Sequence, residues 1–197
     1  MAIPPRYRKW IKLALLAALL GYAVPRLWMS FWFVGRLPLN VQDDFAIVAS
    51  ILPKAGSSPA RFHLGLPHAG HQPGKFLKEL WLAPFANFHG HPFHFSTWAP
   101  PADFQEIVAR TLTDPAAFIP YGGPKLCGGY HADLAVRFES SDGPIDLLLC
   151  FGCGDVLIYS PHGSRITYMS PGFEVLEDAW GKLNGWPPRP PTKPLQP

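Results

Sequence analysis

The chain has 197 residues, 48% of them hydrophobic and 14% aromatic; that length suits one domain with appendages, and the composition excludes a chain without a core. A formal charge of +3 comes without any run of Lys and Arg interleaved with aromatics, so nucleic acid is not an expected partner. The 3 cysteines are too few for a disulfide scaffold, and their odd number leaves at least one thiol over.

Arg6, Arg8 and Lys9 precede the apolar run Trp10–Val24, the pattern of a basic region followed by the apolar region of an export signal. Gly21 and Ala23 are small residues two apart, which would suit cleavage after Ala23. Apolar character resumes between Leu27 and Val34, and a helix from Trp10 to Val34 would extend about 37 Å, enough to span a bilayer. Residues 1–34 are therefore expected to be an uncleaved signal anchor, with a cleaved signal and a buried helix as alternatives. Because the basic residues come first, the rest of the chain is expected to face outward. The expected place is the bacterial cell envelope: a single-pass inner-membrane protein with a periplasmic domain, or a secreted one if cleaved near Ala23.

Residues 35–60 resemble a linker, with one amphipathic stretch from Asp43 to Leu52. The α+β domain is expected over 61–186. Arg61–His68 suggests a short strand running into a loop, and Lys75–Leu82 carries Phe76, Leu77, Leu80 and Trp81 at helical spacing. Asn87–Phe95 alternates as a strand does, with Pro92 placing it at an edge or a bulge. Pro100–Leu112 opens with prolines and an acid, as a helix start should, and buries Phe104, Ile107, Val108 and Leu112. Leu134–Phe138 and Ile145–Leu149 are strands joined by the turn Ser140–Pro144. Asp155–Tyr159 and Arg165–Met169 follow around Ser-Pro-His-Gly, and a last helix from Ser170 carries Phe173, Leu176, Trp180 and Leu183. Strands joined by hairpins favour a mostly antiparallel sheet with helices on one face, here preceded by an N-terminal membrane helix. The proline-rich residues 187–197 form an expected disordered tail.

Chemistry concentrates between Lys125 and Tyr159. Cys127 and His131 form one pair and Cys150 and Cys153 a second, four donors of the kind tetrahedral zinc takes. The first hairpin would bring both pairs to the same end of two strands. A straight strand would send Cys150 and Cys153 to opposite faces, so a shared ion requires a turn at Phe151-Gly-Cys-Gly154. Two bland readings stand beside zinc: a disulfide between two of the three cysteines in an oxidising compartment, or buried inert thiols. A redox Cys-x-x-Cys is disfavoured because a strand, not a helix start, follows it. A nucleophilic Cys127 with His131 as base and Asp133 orienting it has only Gly128-Gly129 to offer an oxyanion. His89, His91 and His94 crowd one segment but fit a polar edge strand equally well. There is no phosphate loop, dinucleotide fingerprint or carboxylate pair.

Gly65-Leu-Pro-His68, His89-Gly-His-Pro-Phe93, the segment Pro120–Asp133 with its Cys-Gly-Gly-Tyr-His-Ala-Asp, and Cys150-Phe-Gly-Cys153 occur in one order. Together they resemble a family of uncharacterised bacterial proteins, often exported, with a Gly-Leu-Pro-His, His-Gly-x-Pro-Phe, Cys-Gly-Gly-x-His-x-Asp and Cys-Phe-Gly-Cys series. The resemblance covers roughly 62–185. It implies that these positions form one site, adds His68 as a candidate ligand, and supplies no reaction. Family patterns carry Pro after the histidine and another His after Cys-Phe-Gly-Cys; here those positions are Ala132 and Gly154, so that histidine ligand is lacking. The resulting expectation is a membrane-anchored, envelope-facing domain with a structural or zinc-binding cluster of Cys127, His131, Cys150, Cys153 and His68. The alternative is a metal- or thiol-dependent enzyme. The N-terminal helix makes the membrane one partner, and nothing names a protein or small-molecule one.

Overall fold

The structure, a computed structural model of the protein, describes residues 5–32, 45–52, 59, 61–67, 73–82, 85–122 and 130–184. Helix α1 (Pro5–Trp32) and helix α2 (Phe45–Ile51) come first, then strand β1 (Arg61–Leu64) and helix α3 (Pro73–Leu82). The strand pair β2 (Phe85–Phe88) and β3 (His91–His94), helix α4 (Ala102–Leu112) and strand β4 (Phe118–Ile119) follow. The chain continues through β5 (Leu134–Phe138), β6 (Ile145–Cys150), β7 (Asp155–Ser160) and β8 (Gly163–Met169) to helix α5 (Glu174–Asn184).

Six strands form one antiparallel sheet in the order β1-β5-β6-β7-β8-β4. The expected α+β class with a mostly antiparallel sheet is the one the chain adopts. The centre is the expected meander. Leu134 pairs with Leu149 and Phe138 with Ile145, and Ser140 closes the connecting turn by donating its hydroxyl to the Gly143 carbonyl at 2.6 Å.

Alternation along the strands makes two cores. Leu134, Val136, Ile145, Leu147 and Val156 face Phe104 and Val108 of α4, Leu176 and Trp180 of α5, and Val48 and Leu52 at α2. Ala135, Leu148, Cys150, Leu157 and Ile166 face Phe93 of β3, Tyr130, Ala132 and Cys153. Covered on both sides, β6 is buried at every position, and each fully buried Leu or Ile contributes roughly 1.5–3 kcal/mol. The amphipathic stretch in the 35–60 segment thus places α2 in the first core.

Helices α2, α4 and α5 share one face, as expected of a helix-covered sheet. Helix α3 departs from that pattern, because Glu79 takes it to His94 of β3 at 3.0 Å and Trp81 to Tyr22 of α1 at 6.1 Å. A second correction concerns 87–95, which is not one strand. His89 and Gly90, at φ 51 and 88, form a two-residue turn between β2 and β3, the geometry of a type I′ hairpin. Alternation runs on through both arms, and His at the first turn position lacks the usual Asn or Asp signal.

Along α1 the side chains of Leu13, Leu15, Leu16, Leu19 and Leu20 are all exposed. No helix among the described residues is long and apolar enough to cross a membrane. The expected tail, 187–197, lies outside the described residues.

Candidate functional site

The site lies where β6 ends and β7 begins. Cys150 is the last residue of β6, and the chain turns back through 151–154 with Gly154 at φ 72, a left-handed conformation that a side chain would strain. The Gly154 N–H donates to the Cys150 carbonyl at 2.8 Å. The Cys153 N–H donates to the Cys150 sulfur at 3.3 Å. This turn puts both cysteines into the same core, 1% and 7% exposed, and neither is in a disulfide. A thiol hydrogen bond from Cys153 is the largest influence on Cys150 and holds its thiol below the ordinary value. Burial and the charge of Asp133 oppose it, while N–H groups of His131 and Cys153 support it.

Beside them stands His131, two residues before Asp133 on the approach to β5. Its Nδ1 lies 3.2 Å from Asp133 Oδ1. The second carboxylate oxygen of Asp133 accepts the Phe151 N–H at 2.8 Å, its N–H donates to the Leu149 carbonyl at 2.7 Å, and its carbonyl accepts the Gly65 N–H at 2.8 Å. One residue therefore ties the end of β1, the entry to β5 and the cysteine turn together. Gly65 permits this approach, since a Cβ there would sit 1.9 Å from the Ala132 carbonyl oxygen. Burial pulls the His131 imidazole down, but the hydrogen bond and charge of Asp133, the charge of Cys150 and the Leu66 backbone outweigh it and raise its pKa. A thiol inclined to ionise thus lies near an imidazole inclined to protonate.

Two further groups are buried beside this cluster. His91 is 4% exposed, edge-on to Tyr130 at 5.0 Å. Burial, then the charges of His131 and His89, lower its pKa to about 4, so it is neutral at pH 7. Tyr130 donates its hydroxyl to the Leu148 carbonyl at 2.7 Å, and burial raises its pKa well above the ordinary phenol value.

Of the five expected ligands, His131, Cys150 and Cys153 come together at this end of the sheet. Cys127 and His68 lie outside the described residues. Among the described residues no three His, Cys, Asp or Glu side chains stand where they could hold a metal ion, and the His131 ring is bonded to Asp133 and to the Leu66 backbone. The histidines of 89–94 scatter to separate partners: His89 to Asp146 at 2.7 Å, His91 to Tyr130, and His94 to Glu79.

Sequence reasoning missed the neighbouring ionic cluster. Asp146 is 3% exposed in the middle of the sheet; Arg137 meets its carboxylate through Nε at 2.7 Å and Nη2 at 2.8 Å. His89 completes the set and lies flat on Tyr159, ring centres 3.9 Å and planes 6° apart. The signal was a lone acid in Ile145-Asp-Leu-Leu-Leu149, because a buried carboxylate requires partners. Compared with family models, curated proteins and solved structures, the chain matches none.

Proposed function

We propose that this protein is a membrane-anchored, envelope-facing domain that binds a soft metal ion, zinc by its donor set, through Cys150 and Cys153 with Cys127 and His131 as the further ligands, His131 exchanging its bond to the Leu66 backbone for the ion. The observation that carries the reading is the cysteine turn. Two unbridged thiols lie side by side, nearly excluded from water, with a backbone N–H directed at the first sulfur. Two adjacent buried thiolates repel each other and lose their hydration, and a bound cation relieves both costs. The Asp133–His131 hydrogen bond supports the reading further, because metal-binding imidazoles commonly give their second nitrogen to a carboxylate. His68 remains the alternative fourth donor that the motif resemblance offers.

The anchor is supported by α1. Leu13, Leu15, Leu16, Leu19 and Leu20 are exposed, Arg6, Arg8, Lys9 and Lys12 precede them, and in the sequence apolar residues continue to Val34. Basic residues ahead of the apolar run favour a domain on the outer side.

Metal content and free-thiol count of the full chain, purified in detergent, test the metal reading. A stoichiometric metal that shields all three thiols, and is lost in Cys150→Ser, is the expected result. A chain that takes up no zinc on titration overturns it. One observation favours the second reading, a thiol-dependent enzyme: the lowered Cys150 thiol beside the raised His131 imidazole. A metal-free protein in which Cys150 alkylates far faster than the other cysteines would establish that reading instead.

A further inference from the structure

We propose that the tip of the β2–β3 hairpin, residues 88–91, is a gate over the thiol pair, held shut by His89 on Asp146, and that an ion or a thiol reagent reaches Cys150 and Cys153 when it opens. The inference rests on the reading of that pair as the functional site and names how the site is entered.

Cys150 and Cys153 are buried, so a ligand needs a way in. They share their core with Phe93 of β3 and with Tyr130, and Phe88 of β2 packs against it. The hairpin is a sheet of its own. Among the described residues its backbone-to-backbone links to the domain are the Leu66 N–H, which donates to the Pro92 carbonyl at 3.3 Å, and the bridge between Gly65 and Phe93. Beyond them the tip is held by side chains. His89 bonds Asp146 at 2.7 Å and lies flat on Tyr159, whose hydroxyl donates to the His89 carbonyl at 3.5 Å. The Phe88 ring lies 5.4 Å from the Arg137 guanidinium. When His89 leaves, Asp146 keeps both bonds from Arg137, so opening strands no carboxylate. The shut tip carries two costs. His89 takes a φ of 51 at a turn position where Asn or Asp is usual. His91 is buried and its ring has no hydrogen-bond partner among the described residues; a nearly dry imidazole without one is costly. A strained tip and an offsetting latch bring the shut and open arrangements close in free energy, as a gate requires. His91 stands edge-on to Tyr130 at 5.0 Å, the neighbour of His131, so lifting the tip bares the approach to His131 and Cys150.

Labelling with N-ethylmaleimide tests this in the full chain, in detergent with a chelator present, so that the outcome does not depend on a bound ion. Rates at Cys150 and Cys153 are read by peptide mass spectrometry, alongside amide hydrogen exchange across 85–94 and across β6. His89→Asn improves the turn but removes the latch. Both thiols should then react at least about tenfold faster, the factor that one hydrogen bond to a charged group represents. His91→Phe removes the orphaned imidazole and keeps a ring on Tyr130, and both thiols should react about fivefold slower or more. Exchange should move in the same directions across 85–94 and stay constant in β6. His162→Asn, at the exposed contact with Asp142, is the control and should leave the rates as they are. Labelling that ignores both variants, or that changes only together with exchange in β6, overturns the gate. Faster labelling in His89→Asn of a chain that takes up no zinc keeps the gate and overturns the metal reading alone.

Discussion

Trp180 tests how the helix layer supports the cysteine turn. Its indole is 4% exposed, lies at 4.8 Å and 18° on Phe151, and meets Trp98 edge-on at 6.0 Å. Removing an aromatic ring from such a site costs about 3–5 kcal/mol. One term works against the indole: among the described residues its Nε1 has no hydrogen-bond partner, and an orphaned buried donor costs about 1–3 kcal/mol. Trp180→Ala sheds that penalty along with the ring, so the net loss should lie near the lower bound, about 3 kcal/mol. At about 2–4 °C per kcal/mol, the midpoint of thermal unfolding falls by about 6–12 °C. Trp180→Phe keeps the stack on Phe151 and deletes the orphan, so it should stay within about 1 kcal/mol of the parent. Far-UV circular dichroism of the full chain in detergent reads both. An unchanged midpoint in the Ala variant refutes the core placement. A Phe variant that loses as much as the Ala variant refutes the orphan argument.

The Asp146 cluster predicts a pH dependence. Burial pushes the Asp146 carboxyl up, but hydrogen bonds from Arg137 and His89 hold it below its ordinary value. Its stabilisation is therefore complete above the unfolded value of about 3.9 and is lost as the pH falls through the folded one. The stability gap between the parent and Asp146→Asn, measured by urea unfolding, should thus close on acidification; a gap constant down to about pH 3 would contradict it. Arg137→Met strands a buried carboxylate and should cost about 3 kcal/mol at pH 7, and a loss within error would show the pair to be idle. Asp133→Asn keeps an acceptor for Phe151 but removes the charge beside His131, so zinc affinity should drop about 10–100-fold; titration against a competing chelator checks it, and an unaltered affinity would mean His131 is no ligand. Serine at each of the three cysteines should lower metal content and stability together if zinc is bound. If a disulfide forms instead, two positions should cost about 2–5 kcal/mol each and the third should be silent.

The meander was legible because Leu134–Phe138 and Ile145–Leu149 are short, mostly apolar runs and Ser140–Pro144 carries turn chemistry between them. Local pattern and tertiary structure agree there. The hairpin at 85–94 was not, because its turn is His-Gly and the period of two crosses it without a break. Asp133 could be named as an orienting group for His131 from their spacing. Its bond to the Phe151 N–H could not, because it depends on the turn after β6 folding back over the entry to β5. The Cys150–Cys153 turn was foreseeable from the glycines that flank Cys153. Asp146 was hidden by its apolar neighbours, and its partner His89 lies 57 residues away.

The margins of the six-stranded sheet have a consequence for behaviour in a crowd. Strand β4 is two residues long, and Thr167 Oγ1 already donates to its Ile119 carbonyl at 2.6 Å. At the other margin, the Trp98 N–H takes the Phe62 carbonyl of β1 at 2.9 Å. Long bare strand margins recruit other chains into continuous β-structure, whereas short, occupied ones do not. Copies gathered at high density on one surface can therefore collide without zipping into a shared sheet.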